Sequence, residues 1–155
     1  LFWSRVSDLP AGKPLDIVAE LTASWVTMAE SAPVCLVSKT HAVELHDLTD
    51  AAAIAFMRDA RRVSAALAAS TGAVKINYEV HGNTLPHLHI HFFPRYRGDR
   101  FEDQPINPKF VTQPVYLPGE FQRTLDVFWD TLRSVSGNRG RGSIVCRAYS
   151  RQIQR

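Results

Sequence analysis

Pro86-His87-Leu88-His89-Ile90-His91-Phe92-Phe93-Pro94-Arg95 is the stretch that decides how this chain is read. Three of the six histidines stand here on alternate positions, separated by Leu88, Ile90 and Phe92. In a strand, residues i, i+2 and i+4 share a face. The spacing therefore predicts a strand over 87–93, with His87, His89 and His91 on one side. Leu88, Ile90 and Phe92 fall on the other side, which can be buried while the imidazole side stays open.

A row of imidazoles supports two chemistries. The first is a metal site. Neighbouring histidines at i and i+2 lie about 6.5–7 Å apart, which suits two ligands of one zinc ion. His87 and His91 are about 13 Å apart, so a third ligand would come from elsewhere, such as His41, His81, Glu79 or Asp99. The second is nucleophilic catalysis, in which a neutral imidazole attacks phosphorus or a carbonyl carbon. That needs one nitrogen unprotonated and the other donating to a fixed acceptor. His89 has an imidazole neighbour on either side and is the first choice of nucleophile. A lone histidine would be read as solvated or structural; three in register argue for a role.

Outward from this strand the elements alternate. Residues 16–21 and 23–29 are rich in Val, Ile, Thr, Leu and Trp and predict a hairpin. Glu30-Ser31-Ala32-Pro33 reads as a turn and Val34–Val37 as a short buried strand. Residues 50–70 predict a long helix, capped by Thr49 or Asp50 and followed by Gly72. Phe56, Ala60, Val63 and Leu67 form its apolar stripe, with Ala53 extending it and Arg58, Arg61 and Arg62 opposite. Residues 74–80 alternate as a strand, antiparallel to the histidine strand across the loop from His81 to Pro86. Arg95, Arg97 and Arg100 follow that strand as a solvated rim or a polyphosphate contact. The Pro-containing segment 98–118 reads as an excursion over the surface. A second helix is expected at about 119–135, with Phe121, Leu125, Phe128, Leu132 and Val135 inward. Ile144-Val145-Cys146 is either an added strand or part of an irregular tail.

At 155 residues, one domain is the default. A hydrophobic share of 45% and a charged share of 21% suit a soluble globular chain. No apolar run is long enough for a membrane span, and no signal peptide is evident. Cys35 and Cys146 show no metal-type spacing and read as reduced thiols of a cytoplasmic protein. The net charge of +3 comes from the tail. Residues 139–155 hold five arginines and no acid, leaving 13 of the 18 basic and all 15 acidic side chains on residues 1–138. A nucleic-acid partner is not implied by such a balance.

His-Leu-His-Ile-His-Phe-Phe at 87–93 resembles the motif of the HIT (histidine triad) superfamily of nucleotide hydrolases and transferases. The likeness extends over about 16–96. Cys35-Leu36-Val37-Ser38-Lys39-Thr40-His41 resembles that family's strand ending in Pro-Lys-x-His. Leu45-His46-Asp47-Leu48-Thr49 resembles the lead-in to its main helix. Asn77 and Gly82-Asn83-Thr84 resemble its phosphate-contacting strand and loop. The segment 101–133 is similar to an extension of some bacterial members, including those like diadenosine polyphosphate hydrolases. Ala32-Pro33 stand where many relatives carry a histidine, and the paired zinc-binding cysteines of some members are absent.

The resemblance implies an α+β domain with an antiparallel sheet of about five strands, one long helix on it and a second C-terminal helix. Residues 1–15 would be an irregular lead-in, 16–136 the HIT-like catalytic domain and 137–155 a basic tail. It implies cleavage of a phosphoanhydride or phosphoramidate at the α-phosphate through a nucleotidyl-histidine on His89. A dinucleoside polyphosphate or an adenosine phosphoramidate would be the substrate. His87 would position and polarise, and His91 would meet the phosphate or the leaving group. Asn77, Gly82, Asn83 and Thr84 would hold phosphate oxygens, with His41 as a partner on the neighbouring strand. The covalent step would need no metal, although Mg²⁺ would accompany a polyphosphate. The chain would act as a homodimer, away from membranes. The alternatives are a metal-dependent enzyme using the same strand, or a non-catalytic nucleotide-binding module.

Overall fold

The computed structural model describes residues 17–29, 32–83, 85–107, 116–136 and 145–146. The chain forms β1 (Ile17–Glu20), β2 (Ser24–Ala29), β3 (Ala32–Ser38), α1 (Asp50–Thr71), β4 (Lys75–Glu79), β5 (His89–Arg95), α2 (Glu120–Ser136) and β6 (Val145–Cys146). The strands make one sheet in the order β4-β5-β3-β2-β1-β6, and every pairing is antiparallel. The expected α+β architecture is present: a sheet, a long helix and a second helix towards the C-terminus. The two-residue β6 adds a sixth strand by pairing with β1 at Ala19 and Glu20. The N-terminal lead-in lies outside the described residues, as does the tail apart from β6.

The long helix starts and stops where its end residues dictate. The Thr49 hydroxyl accepts the Ala52 N–H at 3.3 Å, satisfying one donor of the first turn. Gly72 ends the helix at φ +66°, a left-handed conformation that suits glycine. Phe56, Ala60, Val63 and Leu67 are buried as their spacing predicts. They share one core with Val26, Leu36, Ile90 and Phe92 from the sheet. Leu125, Phe128 and Leu132 of α2 join that core, and the Trp129 indole N–H donates to the Val18 carbonyl at 3.1 Å. Val135, expected inward, is exposed.

Asp59 lies on the same helix and is 1% exposed. It accepts the Ala23 N–H and the Ser24 hydroxyl, each at 2.7 Å, and Arg62 stands 3.4 Å away. One carboxylate thus ties α1 to the β1–β2 turn. Arg62, expected on the solvent side with Arg58 and Arg61, is drawn towards it.

Two strand boundaries differ from the sequence reading. The histidine strand runs over 89–95 rather than 87–93, because residues 87 and 88 are held by other partners. The Leu88 N–H donates to the Ala42 carbonyl at 2.7 Å, and the His87 N–H to the Leu85 carbonyl at 2.8 Å. Pro33, read as part of a turn, sits in β3. It stands near the strand's start, and β5 pairs with β3 only from Val34 onward, so no ladder bond to β5 is lost there.

Candidate functional site

Strand register decides which side chains accompany the histidines. Directly opposed residues of an antiparallel pair point to the same face. His91 opposes Cys35 on β3 and Glu79 on β4, His89 opposes Val37, and Phe93 opposes Asn77. Farther in, Thr27 opposes Cys35 and Trp25 opposes Val37. The face turned away from α1 therefore carries Asn77, Glu79, His89, His91, Cys35 and Trp25. Tyr78 opposes Phe92 and meets its ring edge-on, so it belongs to the other face.

The three histidines are not equivalent. His89 Nδ1 lies 2.7 Å from the His87 carbonyl oxygen. A carbonyl only accepts, so Nδ1 of His89 carries the proton and Nε2 of the neutral ring is a lone pair. His87 Nε2 lies 2.8 Å from the Ser38 carbonyl, so it donates there, and His87 Nδ1 is the acceptor nitrogen. His41 Nδ1 stands 3.3 Å from that acceptor and donates to it. His41 belongs to the loop that follows β3, not to the strand itself. The order Ser38, His87, His41 is thus one polarised hydrogen-bonded row.

The His91 ring packs edge-on to His89 with centroids 4.8 Å apart. Its Nδ1 is buried and has no hydrogen-bond partner among the described residues. Loss of solvent holds the His91 imidazole below its usual proton affinity, and the charges of His89 and His81 act in the same direction. Glu79 opposes them. Across the strand, burial pushes the Cys35 thiol up to about 12, against a smaller effect of its hydrogen bond with Thr27.

Asn77 falls on the imidazole face through its register with Phe93. Gly82 adopts φ +66° with open space around it, a left-handed turn that exposes Asn83. Thr84 lies outside the described residues. Arg95 is buried, with each of its guanidinium nitrogens engaged by the loop after β5: Asp99 through two bonds of 2.8 and 2.9 Å, the Gln104 carbonyl at 2.9 Å and the Phe101 carbonyl. It staples that loop, whereas Arg97 and Arg100 are exposed.

Sequence reasoning missed the contacts of three residues. Lys39 bonds Glu20 at 2.7 Å and the Leu21 carbonyl at 2.6 Å, and lies over the Trp25 ring at 5.6 Å. Asp59 was hidden because it interrupts an apolar helix face. Glu79 reads from the sequence only as a candidate metal ligand, and the cross-strand pair with His91 gives it a different neighbour. Among the described residues no three His, Cys, Asp or Glu side chains cluster as metal ligands.

A family model described as HIT domain matches residues 27–98. A histidine triad protein of Bradyrhizobium japonicum is 29% identical, covering 75% of this chain and 89% of its own, with a TM-score of 0.66. A histidine triad protein of Sinorhizobium meliloti 1021 is 21% identical over 83% of this chain and 93% of its own, with a TM-score of 0.66. A hypothetical histidine triad nucleotide-binding protein of Sulfolobus tokodaii shares the fold at 11% identity and a TM-score of 0.59, over 80% of this chain and 87% of its own. No curated protein matches the chain. A row of strand histidines on an antiparallel sheet backed by one long helix thus accompanies a match of residues 27–98 to the HIT domain and a fold similar to that of histidine triad proteins.

Proposed function

We propose that the protein is a nucleotide hydrolase that cleaves a phosphoanhydride or phosphoramidate bond at an α-phosphate, with His89 as nucleophile. The observation that carries this reading is the 2.7 Å contact of His89 Nδ1 with the His87 carbonyl. It fixes the tautomer, aims the ring and supports positive charge that develops when Nε2 attacks. The Nε2–P bond forms as the P–O or P–N bond breaks, and the leaving group takes the electron pair and a proton supplied by solvent or by a protonated His91. Water then cleaves the Nε2–P bond, releasing the nucleoside monophosphate and restoring neutral His89.

His91 adjoins His89 on the side of β4 and is assigned to the phosphate or the leaving group. Asn77 and Asn83 are uncharged donors suited to non-bridging oxygens, and Thr84 is grouped with them. Uncharged donors avoid binding the ground state as tightly as the transition state. The His87–His41 row positions the main-chain carbonyl that His89 uses. A dinucleoside polyphosphate or an adenosine phosphoramidate fits this chemistry, with Mg²⁺ beside a polyphosphate. The Sulfolobus tokodaii relative's description as nucleotide-binding agrees with a nucleotide ligand. A homodimer with a joined sheet and a cytoplasmic setting complete the reading; β4 ends the sheet among the described residues and offers it an edge.

The experiment is phosphorus NMR of turnover on both substrate classes, with acid-sensitive adduct analysis of wild type and His89→Asn. The expected result is a nucleotidyl adduct in wild type and none in the variant. Unchanged turnover by His89→Asn would remove the covalent mechanism. Binding without turnover in wild type would leave a nucleotide-binding module.

A further inference from the structure

Glu79 stands directly across the strand pair from His91. Opposed Cβ atoms of such a pair are about 4.5–5.5 Å apart, so a glutamate carboxylate reaches an imidazole Nδ1. In this structure the carboxylate turns instead to His81, whose Nε2 lies 2.9 Å from Glu79 Oε2. His81 is the more exposed partner, with 54% of its side chain accessible against 15% for Glu79. Meanwhile Nδ1 of His91 is buried without a partner among the described residues. A buried polar nitrogen left unpaired is costly, so an acceptor within reach has a use. Glu79 also borders a groove of about 710 Å³ between β4 and the loop after β5, so its side chain is not packed in on every side.

We infer that Glu79 is a positioning residue for His91, its carboxylate exchanging between His81 and the His91 Nδ1 as a phosphate group enters the site. The inference rests on the hydrolase reading for its ligand. An anionic phosphate at His91 Nε2 favours the doubly protonated ring, which takes one proton from solvent. The resulting Nδ1–H then needs an acceptor, and Glu79 supplies it while His81 is released to water. Without phosphate the desolvated His91 ring is favoured as neutral, and Glu79 stays with His81. The charged and titratable groups facing His91 are Cys35 from β3, Glu79 from β4, His81 from the following loop and His89 on its own strand. Cys35 remains a neutral thiol, so the exchange involves the other three.

The test follows the His91 ring nitrogens by NMR across pH, in the ligand-free protein and with adenosine monophosphate. His81→Ala frees Glu79 and should raise the ligand-free midpoint of His91 by about half a unit or more. Glu79→Gln should lower the midpoint of the nucleotide-loaded protein by about one unit, a tenfold loss of proton affinity. Glu79→Asp should recover part of that shift. In turnover, Glu79→Gln should lower kcat about tenfold, with KM changed less and the loss dependent on pH. An unmoved His91 midpoint in Glu79→Gln, or a fall in His81→Ala, would overturn the assignment. Absence of turnover in wild type would sink the hydrolase reading alone, because the ligand-free titrations still decide the role of Glu79.

Discussion

Nδ1 of His89 is bonded at 2.7 Å to the main-chain oxygen of His87, not to any side chain. The tautomer of the proposed nucleophile is therefore set by the backbone path through 87–89. His87 has a separate duty, with its own ring bonded to the Ser38 carbonyl. These two facts separate the consequences of replacing each histidine.

His89→Asn should lower kcat/KM for a nucleotide substrate by at least about a thousandfold, as loss of a nucleophile does. His87→Ala should cost less, about ten- to a hundredfold, because the carbonyl that orients His89 remains. Nitrogen chemical shifts of His89 should still report a proton on Nδ1 in His87→Ala. Loss of that tautomer in the variant would show that the His87 ring, through His41 and Ser38, holds the backbone in place.

The buried Asp59 carboxylate predicts a stability effect away from the site. Asp59→Ala leaves the Ala23 N–H and the Ser24 hydroxyl without their 2.7 Å acceptor. Removing one partner of a buried charged network costs about 3–5 kcal/mol. Urea unfolding should show a lower midpoint with an unchanged slope. Glu79 and the histidines lie on the other face of the sheet, so activity per folded molecule should hold at temperatures well below the new midpoint.

Patterning made most of the frame legible. The α1 stripe, Thr49 as cap, Gly72 as stop and the β4–β5 antiparallel pair follow from periodicity and end residues. The row of histidines was legible for the same reason, since alternation fixes the face. Partners distant in the chain were not legible. The shift of β5 to 89–95 depends on the Ala42 carbonyl capturing Leu88, a contact between segments 46 residues apart. Asp59 looks like a break in an apolar stripe until the β1–β2 turn is brought against it. Arg95 looks like one of three rim cations until the loop folds back on it.

That loop predicts a pH dependence. The Arg95 guanidinium, by its hydrogen bonds, holds the Asp99 carboxyl well below the usual carboxylate range, aided by the amides of Tyr96 and Phe101 and opposed by partial burial. A carboxyl lowered in the folded state stabilises fully above its unfolded value of about 3.9. Its contribution is lost as pH falls through the lower folded value. Denaturation curves from neutral to about pH 5 should therefore show no change from this pair, with a decline below about pH 4. Asp99→Asn should flatten that acid decline and speed hydrogen exchange at the Tyr96 and Phe101 amides. An acid profile identical to wild type would show that the Arg95 bonds to the Gln104 and Phe101 carbonyls hold the loop without Asp99.

Cys35 predicts an inert thiol beside the imidazole row. Burial raises it to about 12, so almost no thiolate exists in the folded protein at mildly alkaline pH. Thiolate is the reacting form, and His91 opposite it adds no positive charge while neutral. In a Cys146→Ser background, iodoacetamide should leave Cys35 unmodified in native buffer and label it fully in urea, read by mass spectrometry. Phosphate binding supplies a sharper test: a His91 that becomes protonated would lower the thiol, and labelling with adenosine monophosphate present should rise by a measurable factor above the ligand-free rate. Rapid native labelling without ligand would mean that the face around Cys35 opens to solvent, and that the unpartnered Nδ1 of His91 meets water instead of waiting for Glu79.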